Sequence, residues 1–210
     1  MKTIVCFGDS NTWGADPVTD TRFPFDVRWP GVLRRLLGDG CWVIEEGLPG
    51  RTTVWDDPIE GFKNGRDYMI PCLKSHMPID LITIMLGSND LKKRFSLSAF
   101  DVAEGAGVLV EIVQRSDAGP EGKPPKLLLI APPPLAALPG TRLADMFEGA
   151  QEKSLKLAEQ FRRMAQERGC ELLNAGDVIT SSPIDAIHLE ADQHCRLAEA
   201  VAERVKSMLV

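Results

Sequence analysis

The sequence predicts an α/β fold, a three-layer α/β/α sandwich around a five-stranded parallel sheet. Three observations lead there. Five short apolar runs, Thr3–Phe7, Trp42–Ile44, Leu81–Leu86, Leu127–Ala131 and Glu171–Asn174, are separated by helix-like stretches. The runs are short and continuous, as expected of strands buried on both faces. Parallel strands also need right-handed crossovers, which lay the helices on the faces of the sheet.

The elements can be taken in order. Between the first two runs, WPGVLRRLLGDG reads as a helix with proline near its start and glycine at its end. DYMIPCLKSHM contains Pro71, which predicts a broken helix or two short turns. Ser98 with Asp101 makes a capping-box pattern ahead of apolar residues at helical spacing. Leu143 to Arg168 reads as helical with a charged face, and Ala191 to Leu209 as the closing helix. Two loops are long for such a fold, Thr12 to Arg28 and Pro132 to about Gly140. Long loops at the carboxyl edge of a parallel sheet often shape a binding site. With 210 residues, 44% of them hydrophobic, and no repeat or linker, residues 1–210 read as one domain with a sizeable core.

Charge narrows the function classes. The formal net charge of −6 argues against general affinity for nucleic acid, which needs clustered lysine and arginine. No apolar run approaches the roughly 20 residues that cross a bilayer, and Lys2 precedes only a short apolar run, so neither a membrane partner nor a secretory signal is expected. The five cysteines are widely spaced without a C-x-x-C pair, which points to a reduced, cytoplasmic setting and away from zinc.

Small and polar residues gather after four of the runs. Gly8-Asp9-Ser10-Asn11 comes after the first, Gly47 to Thr53 after the second and Gly87-Ser88-Asn89-Asp90 after the third. Ser182 to His188 comes after the last. A serine hydroxyl is a poor nucleophile until a base takes its proton. His188 is the best base, because imidazole titrates near neutral pH. Asp185, three residues earlier, can reach its Nδ1 and fix the tautomer. The order Ser, Asp, His is one in which this geometry recurs, and the G-x-S-x-G elbow of α/β-hydrolases is absent. Taken alone, Ser10 would more often be a helix cap, and Asn89 a turn residue. Four ordered blocks reverse that reading for Ser10.

Those blocks, GDSN at 8–11, GRT at 50–52, GSND at 87–90 and D-x-x-H at 185–188, resemble the SGNH (GDSL-type) hydrolase family. The resemblance implies a flavodoxin-like sandwich with Ser10, Asp185 and His188 as catalytic residues. It also implies an oxyanion hole from the backbone N–H groups of Ser10 and Gly50 and the Asn89 amide. FGDSNTWG, EEGLPGRTT and DDP at 56–58 are most similar to small bacterial arylesterases and acetyl esterases. That implies a small ester as substrate, short acyl chains, transfer to alcohols or peroxide in some cases, and homo-oligomers up to octamers. Serine, imidazole and amide donors suffice, so no metal or organic cofactor is expected. The alternatives are a longer-chain lysophospholipase or thioesterase of the family, and a non-catalytic protein keeping the fold. Trp13 is a candidate for the acyl pocket, and Arg51 a candidate substrate contact or surface residue. His76 and His194 read as structural or solvent-facing, Asp9 as an anchor of its turn and Asp90 as a turn or cap residue.

Overall fold

A computed structural model describes residues 1–209. Five strands, β1 (Lys2–Gly8), β2 (Cys41–Gly47), β3 (Leu81–Met85), β4 (Lys126–Ala131) and β5 (Glu171–Asn174), form one sheet in the order β2-β1-β3-β4-β5. Every pairing is parallel. The helices are α1 (Ser10–Trp13), α2 (Trp29–Leu37), α3 (Gly65–His76), α4 (Ala99–Gln114), α5 (Ala150–Ser154), α6 (Leu157–Arg168) and α7 (Ala191–Met208).

The twofold alternation of strand side chains builds two cores from one sheet. Val5, Phe7, Ile82, Ile84, Leu127 and Leu129 pack on one face against α3, α4 and α6, with Met69, Val102 and Phe161 among the buried partners. Ile4, Cys6, Leu81, Leu128 and Ile130 face the other way, against Trp29 and Leu33 of α2 and Leu197 and Val201 of α7. Both faces of the central strands are therefore dry, which nearly continuous apolar runs satisfy at once. This is the three-layer sandwich expected from the sequence.

Two expected elements differ. α3 runs unbroken through Pro71. Pro71 is exposed while Met69, Cys72 and Leu73 bury the opposite side, so the carbonyl left without an N–H partner is on the side that water reaches. Residues 143–149 are turns rather than helix, and the helical stretch begins only after Gly149, which takes a left-handed conformation at φ 74°. The apolar side chains of that segment line a surface cleft instead of a helix face.

The chain passes from β1 outward to β2, then back across to β3 on the far side of β1. Adjacent connections thus leave the carboxyl ends of β1 and β3 in opposite directions, which opens a crevice between them.

Candidate active site

Ser10 and Asn89 sit at that crevice. β1 ends at Gly8, Asp9 caps the short α1 by accepting the Asn11 backbone N–H at 2.9 Å, and Ser10 is the first residue of the turn. Gly8 cannot carry a side chain, because a Cβ there would collide with Thr12 Oγ1. The tight turn this permits brings Ser10 to the sheet edge. From the other end of the chain, His188 Nε2 lies 2.9 Å from Ser10 Oγ, and His188 Nδ1 lies 2.5 Å from Asp185 Oδ2. Asp185 Oδ1 accepts the backbone N–H groups of Ile187 and His188 at 3.0 and 2.9 Å. Burial pushes the Asp185 carboxyl upward, but the hydrogen bond and charge of His188, with those two N–H groups, hold it below the usual value.

Gly50 and Asn89 complete the same cleft, whose volume is about 300 Å³. Gly50 has φ +82°, a left-handed conformation that a side chain would strain, and its backbone N–H bonds to no group among the described residues. The Asn89 amide donates to the Arg51 carbonyl at 3.2 Å and stands 3.4 Å from Asp9 Oδ2. Burial pushes the Asp9 carboxyl up to about 6, against the lowering effect of the Asn11 N–H. Burial likewise lifts Asp90 to about 6, although Thr53 gives it both a hydroxyl and a backbone N–H. That pair ties the GRT segment to the GSND segment.

The structure places two predicted contacts elsewhere. Arg51 is 3% exposed. Its guanidinium donates to the carbonyls of Gly8 and Glu46 at the ends of β1 and β2, and lies 4.2 Å from the Phe7 ring centroid. It is an interior clamp on the strand ends that carry the site, not a substrate contact. Trp13 does not line the cleft; Arg22 stacks on its ring at 5.1 Å and donates to its carbonyl. The apolar wall comes instead from Leu143, Met146, Phe147 and Ile187.

His194 is fully buried, accepts the Trp29 N–H at 3.2 Å, and is pushed down to about 3 by burial, so it stays neutral. His76 pairs with Glu46 at 2.6 Å. Those two and Cys72 have ligand atoms within 4.8 Å of one another, away from the cleft. A dication there would meet the positive field of Arg51, which already acts on both Cys72 and Glu46.

Asn11 is the residue that sequence reasoning missed. Its amide donates to the Ile187 carbonyl at 3.2 Å and its oxygen accepts the Leu189 N–H at 3.2 Å, one bond on each side of His188. A single buried side chain thus positions the imidazole against its neighbour Ser10. Asn11→Leu, of similar volume, leaves two buried backbone groups unpaired and loosens that loop. The expected result is a fall in kcat of about 10- to 100-fold with KM moving by less than about threefold. Steady-state kinetics well below the melting temperature, with the rate of fluorophosphonate labelling, check it. A general loss of folded protein would lower both rates only in proportion to the folded fraction.

The sequence pattern of the GDSL-like lipase/acylhydrolase family matches residues 6–196. The fold is similar to the native aryl esterase of M. smegmatis, with 43% identity, full coverage of both chains and a TM-score of 0.95. It is also similar to Est24, a carbohydrate acetylesterase from Sinorhizobium meliloti, at 42% identity over 99% of this chain and 100% of that one, with a TM-score of 0.94. A carbohydrate acetylesterase family member from the same organism shows 39% identity over 100% and 99% of the two chains, again with a TM-score of 0.94. No curated protein sequence matches the chain.

Proposed function

The chain belongs to the GDSL-like lipase/acylhydrolase family, and from that premise we propose that it is a carboxylesterase using Ser10 as its nucleophile on short acyl esters of aryl or sugar alcohols. The observation that carries this reading is the unbroken relay from Ser10 Oγ through His188 to Asp185, opening into the cleft beside Gly50 and Asn89. Ser10 Oγ attacks the ester carbonyl carbon while its proton passes to His188 Nε2. The carbonyl oxygen takes up the negative charge, facing the N–H groups of Ser10 and Gly50 and one Asn89 N–H turned from its long contact with Asp9. Donors of this kind are each worth about 100- to 1,000-fold in rate. Collapse breaks the bond to the alcohol, which leaves with the proton held by His188. Water then repeats the sequence on the acyl-enzyme, and an alcohol or peroxide in its place would carry the acyl group away.

The cleft also argues for chain length. Its apolar side chains are Pro49, Leu143, Met146, Phe147 and Ile187, while the remaining lining includes Asp20, Glu60, Lys63, Lys92 and Arg142. A long acyl chain would be laid against charged groups and strip their water. The expected result is a fall in kcat/KM of about tenfold or more from p-nitrophenyl acetate to the octanoate. A flat or rising series across acyl lengths would overturn the short-chain reading and favour a lysophospholipase or thioesterase. Labelling of the wild type by a fluorophosphonate, mapped to Ser10 by mass spectrometry, tests the nucleophile itself.

A further inference from the structure

The charges that line the cleft are not evenly matched. Lys92 is 2% exposed and sits 3.4 Å from Asp57 and 2.5 Å from Glu60. Arg94 reaches the same two carboxylates at 3.5 and 3.1 Å. Asp57 and Glu60 are therefore already neutralised by two cations. Arg142, also on the lining, pairs with Asp20 and comes within 3.8 Å of Asp185. Lys63 remains. It lines the cleft beside Gly50, where a methyl on the glycine would come within 3.4 Å of Lys63 Cε, and it makes no ion pair among the described residues. Glu60 Oε2 would lie closer still to the same methyl, so Lys63, Lys92 and Arg94 together face only the two carboxylates of Asp57 and Glu60, and that excess positive charge is a ready partner for an anion.

We infer that the cleft selects esters whose alcohol carries a carboxylate, which Lys63 holds, an inference that rests on the esterase reading. The apolar and the ionic parts of the lining would divide the substrate. Leu143, Met146, Phe147 and Ile187 provide for the acyl methyl group and the face of an aromatic ring. The ionic part takes the polar end of the alcohol, which must leave toward solvent. Two unit charges several ångströms apart in a half-solvated cleft attract enough to change binding by about 3- to 10-fold. The preference is therefore moderate, and it weakens in salt.

The test compares 4-acetoxybenzoate with its uncharged methyl ester, using wild type, Lys63→Gln and Lys63→Glu. The ratio of kcat/KM for the anionic to the neutral ester is expected to fall about 3- to 10-fold in Lys63→Gln and further in Lys63→Glu. In the wild type, the same ratio is expected to fall when sodium chloride is raised to about 0.5 M. A ratio that is the same in all three proteins overturns the inference. If the wild type turns over neither ester, the esterase reading fails separately, and binding of 4-hydroxybenzoate by calorimetry decides the site. Weaker binding to Lys63→Gln supports it; equal binding, or none to the wild type, overturns it.

Discussion

Replacing Ser10 with alanine is expected to remove esterase activity, with kcat/KM for p-nitrophenyl acetate falling by about 10⁴-fold or more. The expectation comes from connectivity. Ser10 Oγ is the hydroxyl bonded to His188 Nε2, so alanine leaves the base and the donors in place but no atom to form the acyl-enzyme. Stability should hardly change, because the hydroxyl makes that one hydrogen bond and such a bond contributes about 0.5–1.5 kcal/mol net. For a chain of this size that is a shift in Tm of no more than about 6 °C. Thermal melts and initial rates, run on the same preparation, separate a chemical loss from unfolding. Equal rates for the two proteins would remove Ser10 from the mechanism. A residual rate of a few per cent would point to a different nucleophile in the same cleft.

How much of the molecule is legible in its sequence depends on whether a residue's partner is local. The strand runs are legible because a strand buried on both faces must be apolar almost throughout, and Leu81–Met85 is buried at every position with Thr83 as its one polar side chain. The capping box at Ser98 is legible because its two partners are three residues apart, and both reciprocal bonds are present. Asp185 and His188 are legible for the same reason. Roles set by distant backbone are not. Arg51 looks like a surface or substrate residue because nothing near it in sequence shows that the Gly8 and Glu46 carbonyls and the Phe7 and Tyr68 rings will enclose its charge. The Asn11 clamp joins residues 176 and 178 positions apart, and a polar residue after a serine carries no sign of it. Leu143, Met146 and Phe147 recur at helical spacing, yet Gly149 in a left-handed turn starts the helix after them and frees them to line the cleft. A period of about 3.6 shows that side chains share a direction only if the backbone is helical.

Asp185→Asn is expected to lower kcat by about 10³- to 10⁴-fold while leaving the site assembled, because it reverses a tautomer rather than removing a group. An asparagine could in principle present either its oxygen or its nitrogen to His188. The surroundings decide which. The Oδ1 position accepts two backbone N–H groups, from Ile187 and His188, so it must remain an oxygen. The amide nitrogen therefore falls at the Oδ2 position, 2.5 Å from His188 Nδ1 in the native site, and donates to it. A neutral imidazole that accepts at Nδ1 carries its proton on Nε2, which then donates toward Ser10 and cannot take its proton. Raising the pH does not restore the base, since Nε2 keeps that proton as long as Nδ1 is held as an acceptor. Stability gives an independent reading. The native carboxyl is held below its ordinary value of 3.8, so its ionised form stabilises the fold above that pH and the contribution is lost as pH falls through the lowered value. The variant should accordingly melt below the wild type near neutrality, and the gap should narrow in acid. Activity above a tenth of wild type, or a melting difference that widens in acid, would mean that Asp185 does not orient His188 in the working enzyme.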